Sequence, residues 1–253
     1  MGCKASAPVL KDSLDSSLHG KLVQDRRRKV DDYYTRINEI GKGTGSQIVH
    51  VQESKFVKTK HTGYAMKLYD GTAELPPDLL KEAEILQLCD HPNIVKLYEL
   101  GKHNNGLTLV MEYLTGGNVA EGFPYKESEA SKILYQLLSA VDYLHKKNIV
   151  HRDINLSNLM FEDKSSRAKN KGKKFSATVK LIDFGCATKI QVWRSGAFAG
   201  TVKFLTEQTG GIHTMAPEVI KGKYTNRADM WAVGVCAYML MTNNKRPFDG
   251  DTV

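Results

Sequence analysis

Five short motifs occur in a fixed order along this chain, and that order constrains the fold more than any other feature. Each motif alone is weak, because a match of three or four residues arises easily by chance. Together they combine a glycine-rich turn, a lysine on an apolar strand and several acidic loops. From the N-terminal end the motifs are Gly41-x-Gly43, Ala65-Met66-Lys67, His151-Arg152-Asp153 with Asn158, Asp183-Phe184-Gly185 and Ala216-Pro217-Glu218.

The first two motifs predict a phosphate-binding site built on β-structure. The segment from Tyr33 to Val51 has the pattern of a strand, a glycine-rich turn and a second strand. Gly41 and Gly43 allow backbone N–H groups to approach a phosphate with no Cβ in the way. Lys67 interrupts an apolar strand, where a charge is costly unless an anion pairs with it. By itself, such a turn is more often an ordinary hairpin.

Two segments have the apolar period of helices. Residues Pro77 to Asp90 carry apolar side chains on linked faces, and two candidate glutamates, Glu82 and Glu84, lie within the same segment. Residues Ala130 to Lys147 have a stronger period, which predicts a buried helix. This second helix leads directly into the third motif.

The complete motif set resembles that of the eukaryotic protein kinases, from about Tyr33 to the end of the chain. The segments 91–95, 111–113 and 215–219 are most similar to the calcium/calmodulin-dependent and calcium-dependent serine/threonine kinases. The resemblance implies an α+β, bilobal fold in three parts. Residues 1–32 are a lipidated or basic tether, residues 33–114 a small β-rich N-lobe with one long helix and the hinge, and residues 115–253 a larger helical C-lobe, incomplete at its C-terminus.

The resemblance also implies an activity, the transfer of the γ-phosphoryl group of ATP to serine or threonine hydroxyls of a protein substrate, with Mg²⁺. It makes Asp153 the residue that accepts or orients the proton of the substrate hydroxyl. Lys67 is then expected to contact the ATP phosphates and to pair with Glu82, for which Glu84 is the competing candidate.

Further positions take their expected roles from the same resemblance. Asn158 and Asp183 are the implied Mg²⁺ ligands, which a reaction between two negatively charged groups requires. Asp229 is expected to hold the backbone of the loop that carries Asp153. The other residues implied at the ATP site are Gly41, Gly43, Ser46, Ile48, Ala65, Met111, Glu112, Leu114 and Met160.

Three single positions depart from the kinase pattern. Asn155 stands where serine/threonine kinases have a lysine that contacts the γ-phosphate, so a lower rate is expected. Ser46 replaces the third glycine of the glycine-rich turn. Asn118 stands where many kinases have a glutamate that recognises substrate arginine, which weakens the expectation of arginine-directed specificity.

The segment from Asp183 to Glu218, called the activation segment below, is unusually long. Its substrate-side threonine is either Thr201, followed by an insertion, or absent, with Gly211 in its place. Arg152 is expected to pair with a phosphate group on this segment, and Ser195 and Thr201 are the candidate phosphorylation sites.

The departures leave a second interpretation open, a pseudokinase or nucleotide-binding scaffold. Asn155 favours it, and so does the end of the chain at Val253, where a kinase C-lobe normally continues. The same chain end predicts an exposed apolar surface on the helix that contains Trp231 and Met241.

The first six residues fit the pattern for N-terminal myristoylation, with Gly2 as the acceptor and Ser6 at the required offset. A single myristoyl chain binds membranes only marginally, so a second signal is needed. Palmitoylation of Cys3 and the basic run Arg26 to Lys29 each provide one. We therefore expect a cytoplasmic protein that is peripheral on the cytosolic face of a membrane.

The remaining partner predictions follow from charge and motif searches. The net charge is +8, partly from a second basic run between Lys164 and Lys174. Apart from Phe175, this run lacks the aromatic side chains that stack on bases, so nucleic acid is an unlikely partner. No loop has the EF-hand pattern, so direct calcium control within this chain is not expected. The four cysteines lack paired spacing, which favours reduced thiols.

Overall fold

The computed structural model describes residues 30–43, 46–53, 63–69, 77–103, 106–164, 175–192 and 201–248. The predicted lipidation sites Gly2 and Cys3 and the candidate phosphorylation site Ser195 lie outside these residues, as do the basic run 26–29 and most of the run that follows Lys164.

The first lobe is an antiparallel five-stranded sheet in the order β1-β2-β3-β5-β4, accompanied by one helix. Strand β3 lies in the middle and is buried along most of its length, because β2 and β5 pair with its two edges. The elements in chain order are β1 (Tyr34–Gly43), β2 (Ser46–Glu53), β3 (Tyr64–Tyr69), α1 (Pro77–Gln87), β4 (Leu97–His103) and β5 (Gly106–Glu112).

One apolar cluster of this sheet includes the first residue that the structure describes. Val30 opens a short 3₁₀ turn, Val30–Asp32, and is buried in a cluster with Val51, Met66 and other side chains. Gly101 on β4 leaves room for it, since a Cβ at this position would collide with the Val30 side chain. The point where the N-terminal segment meets the sheet is therefore fixed.

The second lobe is mainly helical, with two short two-stranded sheets in which β6 pairs with β9 and β7 with β8. Three 3₁₀ turns, Val119–Glu121, Leu156–Asn158 and Ile212–Thr214, connect its elements. These elements are α2 (Glu127–Lys146), β6 (Ile149–Val150), β7 (Leu159–Phe161), β8 (Val179–Leu181), β9 (Thr188–Lys189), α3 (Pro217–Ile220) and α4 (Arg227–Met241).

The helix boundaries differ slightly from those that the apolar period predicts. Helix α1 ends at Gln87 rather than Asp90, because the N–H groups of Leu88 and Cys89 bond three residues back, in turn geometry. Helix α2 begins three residues before Ala130, where the Glu129 carboxylate accepts the backbone N–H of Lys126.

A single large core joins both lobes, as the α+β bilobal prediction requires. It contains side chains from α1, β4, β5, α2 and α4, together with Phe184 of the activation segment. On α4, four large apolar side chains stay exposed, as predicted for this helix: Met230, Trp231, Tyr238 and Met241. Within the described part of the chain, no helix combines the length and apolarity that crossing a bilayer requires.

Candidate active site

Lys67 lies at the centre of the site, where three elements meet. Strand β3 places it between Ile48 of β2 and Leu109 of β5, and only 6% of the residue is exposed. Its Nζ donates to both carboxylate oxygens of Glu82 on α1, at 2.9 Å each, and to Asp183 Oδ1 at 3.1 Å. The predicted pairing of Lys67 with a glutamate therefore falls on Glu82.

The competing candidate, Glu84, is exposed and has no such contact, whereas Glu82 is 2% exposed. Helix geometry accounts for the difference, because residues two apart on α1 point in widely different directions. The hydroxyl of Tyr69 also donates to Glu82 Oε2, at 2.8 Å. Glu82 thus has two donors that hold it toward the sheet.

The pKa values of this cluster reflect mutual stabilisation of opposite charges. Burial acts to lower the pKa of Lys67, but the carboxylates of Glu82 and Asp183 outweigh it and hold that pKa above its ordinary value. Partial burial acts to raise the pKa of Asp183, and the nearby Lys67 ammonium more than compensates, so the pKa is lowered. With one cation and two carboxylates, the cluster carries a net negative charge that a further cation can neutralise.

The loop that carries Asp153 is held from below by Asp229, as predicted. One carboxylate oxygen of Asp229 accepts the backbone N–H of His151 at 3.0 Å, and the other accepts that of Arg152 at 2.9 Å. The ring of His145 contacts the same carboxylate at 2.8 Å. Arg152 has a positive φ of 69°, a strained conformation for this residue type, which these bonds maintain.

Asp153 is surrounded by N–H donors from its own loop and from the activation segment. Asn158 Nδ2 donates to Asp153 Oδ2 at 2.8 Å and to its carbonyl oxygen at 2.9 Å. Asn155 Nδ2 lies 3.3 Å from Oδ1 and from the same carbonyl oxygen. The backbone N–H of Gly211 donates to Oδ1 at 2.7 Å.

The contact of Gly211 resolves the two alternatives for the substrate-side threonine. Gly211 occupies the position beside Asp153, as in the alternative that has glycine in place of the threonine. Gly210 makes the approach possible, because it has a φ of +100° and a Cβ at this position would collide with the carbonyl oxygen of Arg152.

Arg152 has a carboxylate partner in the activation segment. Its Nη1 donates to Glu207 Oε2 at 2.7 Å and to the hydroxyl of Tyr224 at 3.3 Å, and its Nε donates to the carbonyl oxygen of Cys186 at 2.6 Å. The Arg152 side chain is 5% exposed, whereas Glu207 is 70% exposed. The hydrogen bond from Arg152 holds the pKa of Glu207 below its ordinary value.

The expectation that Arg152 pairs with a phosphate on the activation segment stays a prediction beside this pairing. The candidate Thr201 is exposed, and Ser195 lies outside the described residues. Phosphorylation at either residue stays a prediction, but Arg152 is paired without it. The sequence did not single out Glu207, because the expected partner of Arg152 was a phosphorylated hydroxyl; a carboxylate in the same segment carries the same sign of charge.

The predicted adenine-binding hinge, residues 111–114, begins in the last two residues of β5 and is tied to the second lobe. Strand pairing sets Ala65 opposite Met111, and Gly41 opposite Ile48, which in turn faces Lys67. Glu112 Oε1 pairs with Lys180 of β8 at 3.0 Å, a contact that the sequence did not indicate. Leu114 is buried at the end of the hinge, and Met160 of β7 forms an isolated bridge with Asn118.

The glycine-rich turn is described only in part, since residues 44 and 45 lie outside the described residues. Gly43 pairs with Ser46 across the turn. The Oγ of Ser46 is buried and has no hydrogen-bond partner within the described ranges. It is thus a donor that a ligand oxygen can satisfy.

Comparison with known proteins gives concordant matches. The model of the protein kinase domain family matches residues 34–253. Calcium-dependent protein kinase 4 of Plasmodium berghei (strain Anka) is 31% identical over 257 residues, which cover 97% of this chain and 44% of the relative. The protein of the same name from Plasmodium falciparum (isolate 3D7) is 30% identical with the same coverage.

Myosin light chain kinase A of Dictyostelium discoideum is 34% identical over 234 residues, covering 89% of this chain and 71% of the relative. The chain thus spans less than half the length of the two calcium-dependent kinases and about seven tenths of the myosin light chain kinase.

Proposed function

Because this chain belongs to the protein kinase family, we propose that it transfers the γ-phosphoryl group of ATP to serine or threonine hydroxyls of protein substrates. The names of its relatives, calcium-dependent protein kinase and myosin light chain kinase, support protein substrates. Membrane attachment and a place in signalling belong to the same proposal, on the strength of the N-terminal pattern alone.

The observation that carries the proposal is the joining of Lys67 of β3 to both Glu82 of α1 and Asp183 of the activation segment. A buried charge cluster of this kind is expensive, and replacing it with apolar residues often stabilises a protein. Its retention is explained if the cluster holds ATP phosphates and a metal. A protein that served only as a scaffold has no use for it.

The residues present fit Mg²⁺ as the metal. Asn158 donates its Nδ2 to Asp153, which leaves its amide oxygen for a cation, and no donor among the described residues contacts Asp183 Oδ2. Mg²⁺ usually takes one or two side-chain ligands and completes its octahedral shell with water and phosphate oxygens. When bound, the metal neutralises charge on the phosphates.

The chain's own residues supply positioning and proton handling. Lys67 contacts phosphate oxygens while Glu82 keeps its ammonium in place. Asp153 orients the acceptor hydroxyl and takes up its proton. Arg152 and Asp229 hold the Asp153 loop from two sides, and the ion pair between Arg152 and Glu207 joins the activation segment to that loop.

The proposed activity is tested by ATP binding in the presence and absence of Mg²⁺, combined with phosphate transfer to a mixed serine and threonine peptide library. Wild-type protein is expected to bind ATP only with Mg²⁺ and to label the library. Lys67→Met is expected to lose both properties, because it removes the phosphate contact and leaves two carboxylates unpaired. Glu84→Gln, a change of an exposed glutamate on the same helix, serves as the matched control.

A second candidate, a nucleotide-binding pseudokinase, is favoured by Asn155. It predicts ATP binding by the wild type without any labelling of the library, so the same experiment separates the two candidates. Transfer to the peptides would exclude the pseudokinase.

The membrane proposal has its own test. Gly2→Ala removes the myristoyl acceptor, so the protein is expected to move from the membrane to the soluble fraction of cells. Cys3→Ser is expected to weaken membrane retention while leaving myristoylation intact. Membrane association unaffected by Gly2→Ala would leave the basic run as the anchor and remove lipidation from the account.

A further inference from the structure

Asn155 stands where serine/threonine kinases have a lysine, yet its side chain makes hydrogen bonds that a lost lysine does not explain. We propose that Asn155 is a positioning residue that fixes Asp153 and Asn158 relative to each other through the two ends of its carboxamide. The proposal rests on the proposed function for the roles of those two residues, but its central contacts are independent of it.

The oxygen end of the carboxamide begins the short turn Leu156–Asn158. Oδ1 of Asn155 accepts the backbone N–H groups of Ser157 and Asn158, at 3.0 Å each. The Asn155 backbone is extended, with φ −155° and ψ 166°, as is typical of a residue that caps a helical turn. Without this oxygen the Ser157 N–H loses its acceptor, and the Asn158 N–H keeps its 3.1 Å bond to the Asn155 carbonyl oxygen, so the backbone that carries the Asn158 side chain is held less tightly.

The nitrogen end of the carboxamide reaches Asp153. Nδ2 lies 3.3 Å from the carbonyl oxygen and from Oδ1 of Asp153. The orientation of the amide is determined by its surroundings, because a flipped group would set its NH₂ against two N–H donors and its oxygen against two acceptors. The Asn155 side chain therefore accepts hydrogen bonds from the turn that ends at Asn158 and donates its N–H groups to Asp153.

The Asp153 carboxylate is then almost fully engaged. It offers about four lone-pair positions, and among the described residues Asn155, Asn158 and Gly211 each direct an N–H at one of its oxygens. About one position remains for the hydroxyl of a substrate. The three N–H donors thus leave one direction from which a substrate hydroxyl can approach the Asp153 carboxylate. Proton transfer needs a hydroxyl that is positioned in this way.

A lysine cannot perform this role, because an ammonium group has donors but no acceptor. Replacing Asn155 by lysine would add a cation near the phosphates and remove the cap of the turn that ends at Asn158. Compared with a lysine, Asn155 provides no positive charge near the phosphates, but it aligns the proposed base Asp153 with the proposed metal ligand Asn158. This reading differs from a simple loss of function, since it predicts that removing Asn155 impairs metal-dependent binding.

The test measures the Mg²⁺ dependence of ATP binding by titration calorimetry, together with kcat and the KM for ATP. Asn155→Ala is expected to raise the Mg²⁺ concentration for half-maximal ATP affinity about tenfold and to lower kcat about tenfold, as losses of residues that orient metal ligands do. Asn155→Asp keeps an acceptor for the turn but loses the donor to Asp153. It is expected to keep the Mg²⁺ dependence within about threefold of the wild type while kcat stays low.

The matched control is Ser157→Ala, which changes an exposed side chain in the same turn and leaves the backbone N–H that Asn155 accepts. It is expected to match the wild type in Mg²⁺ dependence and kcat. The proposal is overturned if Asn155→Ala binds Mg²⁺ and ATP like the wild type, or if Asn155→Asp shows the same Mg²⁺ defect as the alanine variant. Should Asn155→Ala fail to fold, a wild-type kcat in Asn155→Asp would overturn the donor role.

The outcome is separable from that of the proposed function. A wild-type protein that binds ATP with Mg²⁺ but labels no peptide would refute phosphate transfer. The Mg²⁺ titrations of the Asn155 variants would still decide whether this residue positions Asn158.

Discussion

The β1–β2 hairpin and the Asp153 loop belong to the same candidate site, yet their backbones are held in different ways. Among the described strands, β1 pairs with β2 alone and shifts register twice, and its Ile37 and Ile40 side chains are 52% and 40% exposed. In the Asp153 loop, His151 and Ile154 are fully buried, and Asp229 fixes two successive N–H groups.

This difference indicates which part of the site is organised before a ligand arrives. An exposed edge strand such as β1 belongs to the less stable part of a fold. A loop whose polar groups are satisfied by buried partners keeps its geometry without the ligand, as electrostatic catalysis requires. We therefore expect substitutions in the loop to affect folding and chemistry, and substitutions in the hairpin to affect ligand affinity alone.

The largest effect is expected from Asp153→Asn, which removes the proton acceptor but keeps the shape of the side chain. The rate of phosphate transfer should fall about 10³-fold, while Mg²⁺-dependent ATP affinity stays within about twofold of the wild type, because the role proposed for Asp153 concerns the substrate hydroxyl and not the nucleotide. Steady-state kinetics and calorimetry measure the two quantities. Asp142→Asn on the outer face of α2 is the control, and an equal loss of ATP affinity in Asp153→Asn would contradict the assigned role.

Asp229→Ala should give the next largest effect, by releasing the loop from below. The N–H groups of His151 and Arg152 lose their acceptor, and the free energy of unfolding should fall by about 3 kcal/mol. Urea denaturation followed by circular dichroism measures this value. Asp229→Asn retains one acceptor oxygen and should lose less, so equal stability in all three proteins would show that the loop is not held in this way.

Glu207→Gln breaks the ion pair with Arg152 and should lower kcat about tenfold, since a hydrogen bond to a charged group contributes about 1.5–3 kcal/mol. Glu84→Gln is the control, as another exposed glutamate. If kcat is unchanged in Glu207→Gln but abolished in Thr201→Ala, the functional partner of Arg152 is a phosphate on Thr201 and not Glu207.

The same pair predicts a pH dependence. The pKa of Glu207 is lower in the folded protein than its ordinary value of 4.5, so the carboxylate stabilises the fold above that value and loses its contribution as acid protonates it. The melting temperature of the wild type should therefore fall more steeply than that of Glu207→Gln as the pH is lowered below about 4.5. Parallel curves would show that the pair adds no stability.

The smallest effect is expected from Gly41→Ala, in the hairpin. An added Cβ meets only the side chain of Ile48, at 3.8 Å, so the melting temperature should not change. The KM for ATP should rise about fivefold, the equivalent of one hydrogen bond to phosphate. A loss of stability without a change in KM would contradict the expectation that substitutions in the hairpin affect ligand affinity and not folding.

Local patterns were sufficient to predict the parts of the site that depend on one element. The apolar strand around Lys67, the period of α2 and the order of the motifs placed these elements correctly. The choice between Glu82 and Glu84 needed burial, because both lie on the same helix and either could have faced the sheet.

Contacts between distant segments were not predictable in the same way. Arg152 and Glu207 are 55 residues apart, and a long activation segment can be aligned with more than one spacing. For the same reason, Thr201 and Gly211 remained alternatives until Gly211 was found beside Asp153. At Asn155 the sequence showed a missing charge, whereas the hydrogen bonds that the amide makes in its place depend on the path of the backbone.

The burial of Val30 sets a limit on where the protein can work if Gly2 carries a lipid. Val30 is packed against the sheet of the first lobe, so its position on that lobe is fixed. A chain of 28 residues spans at most about 100 Å when fully extended. Val30 would then stay within that distance of the point of attachment. Under the proposed function, a soluble protein that never approaches the membrane would not reach the Asp153 loop, however well its sequence fits.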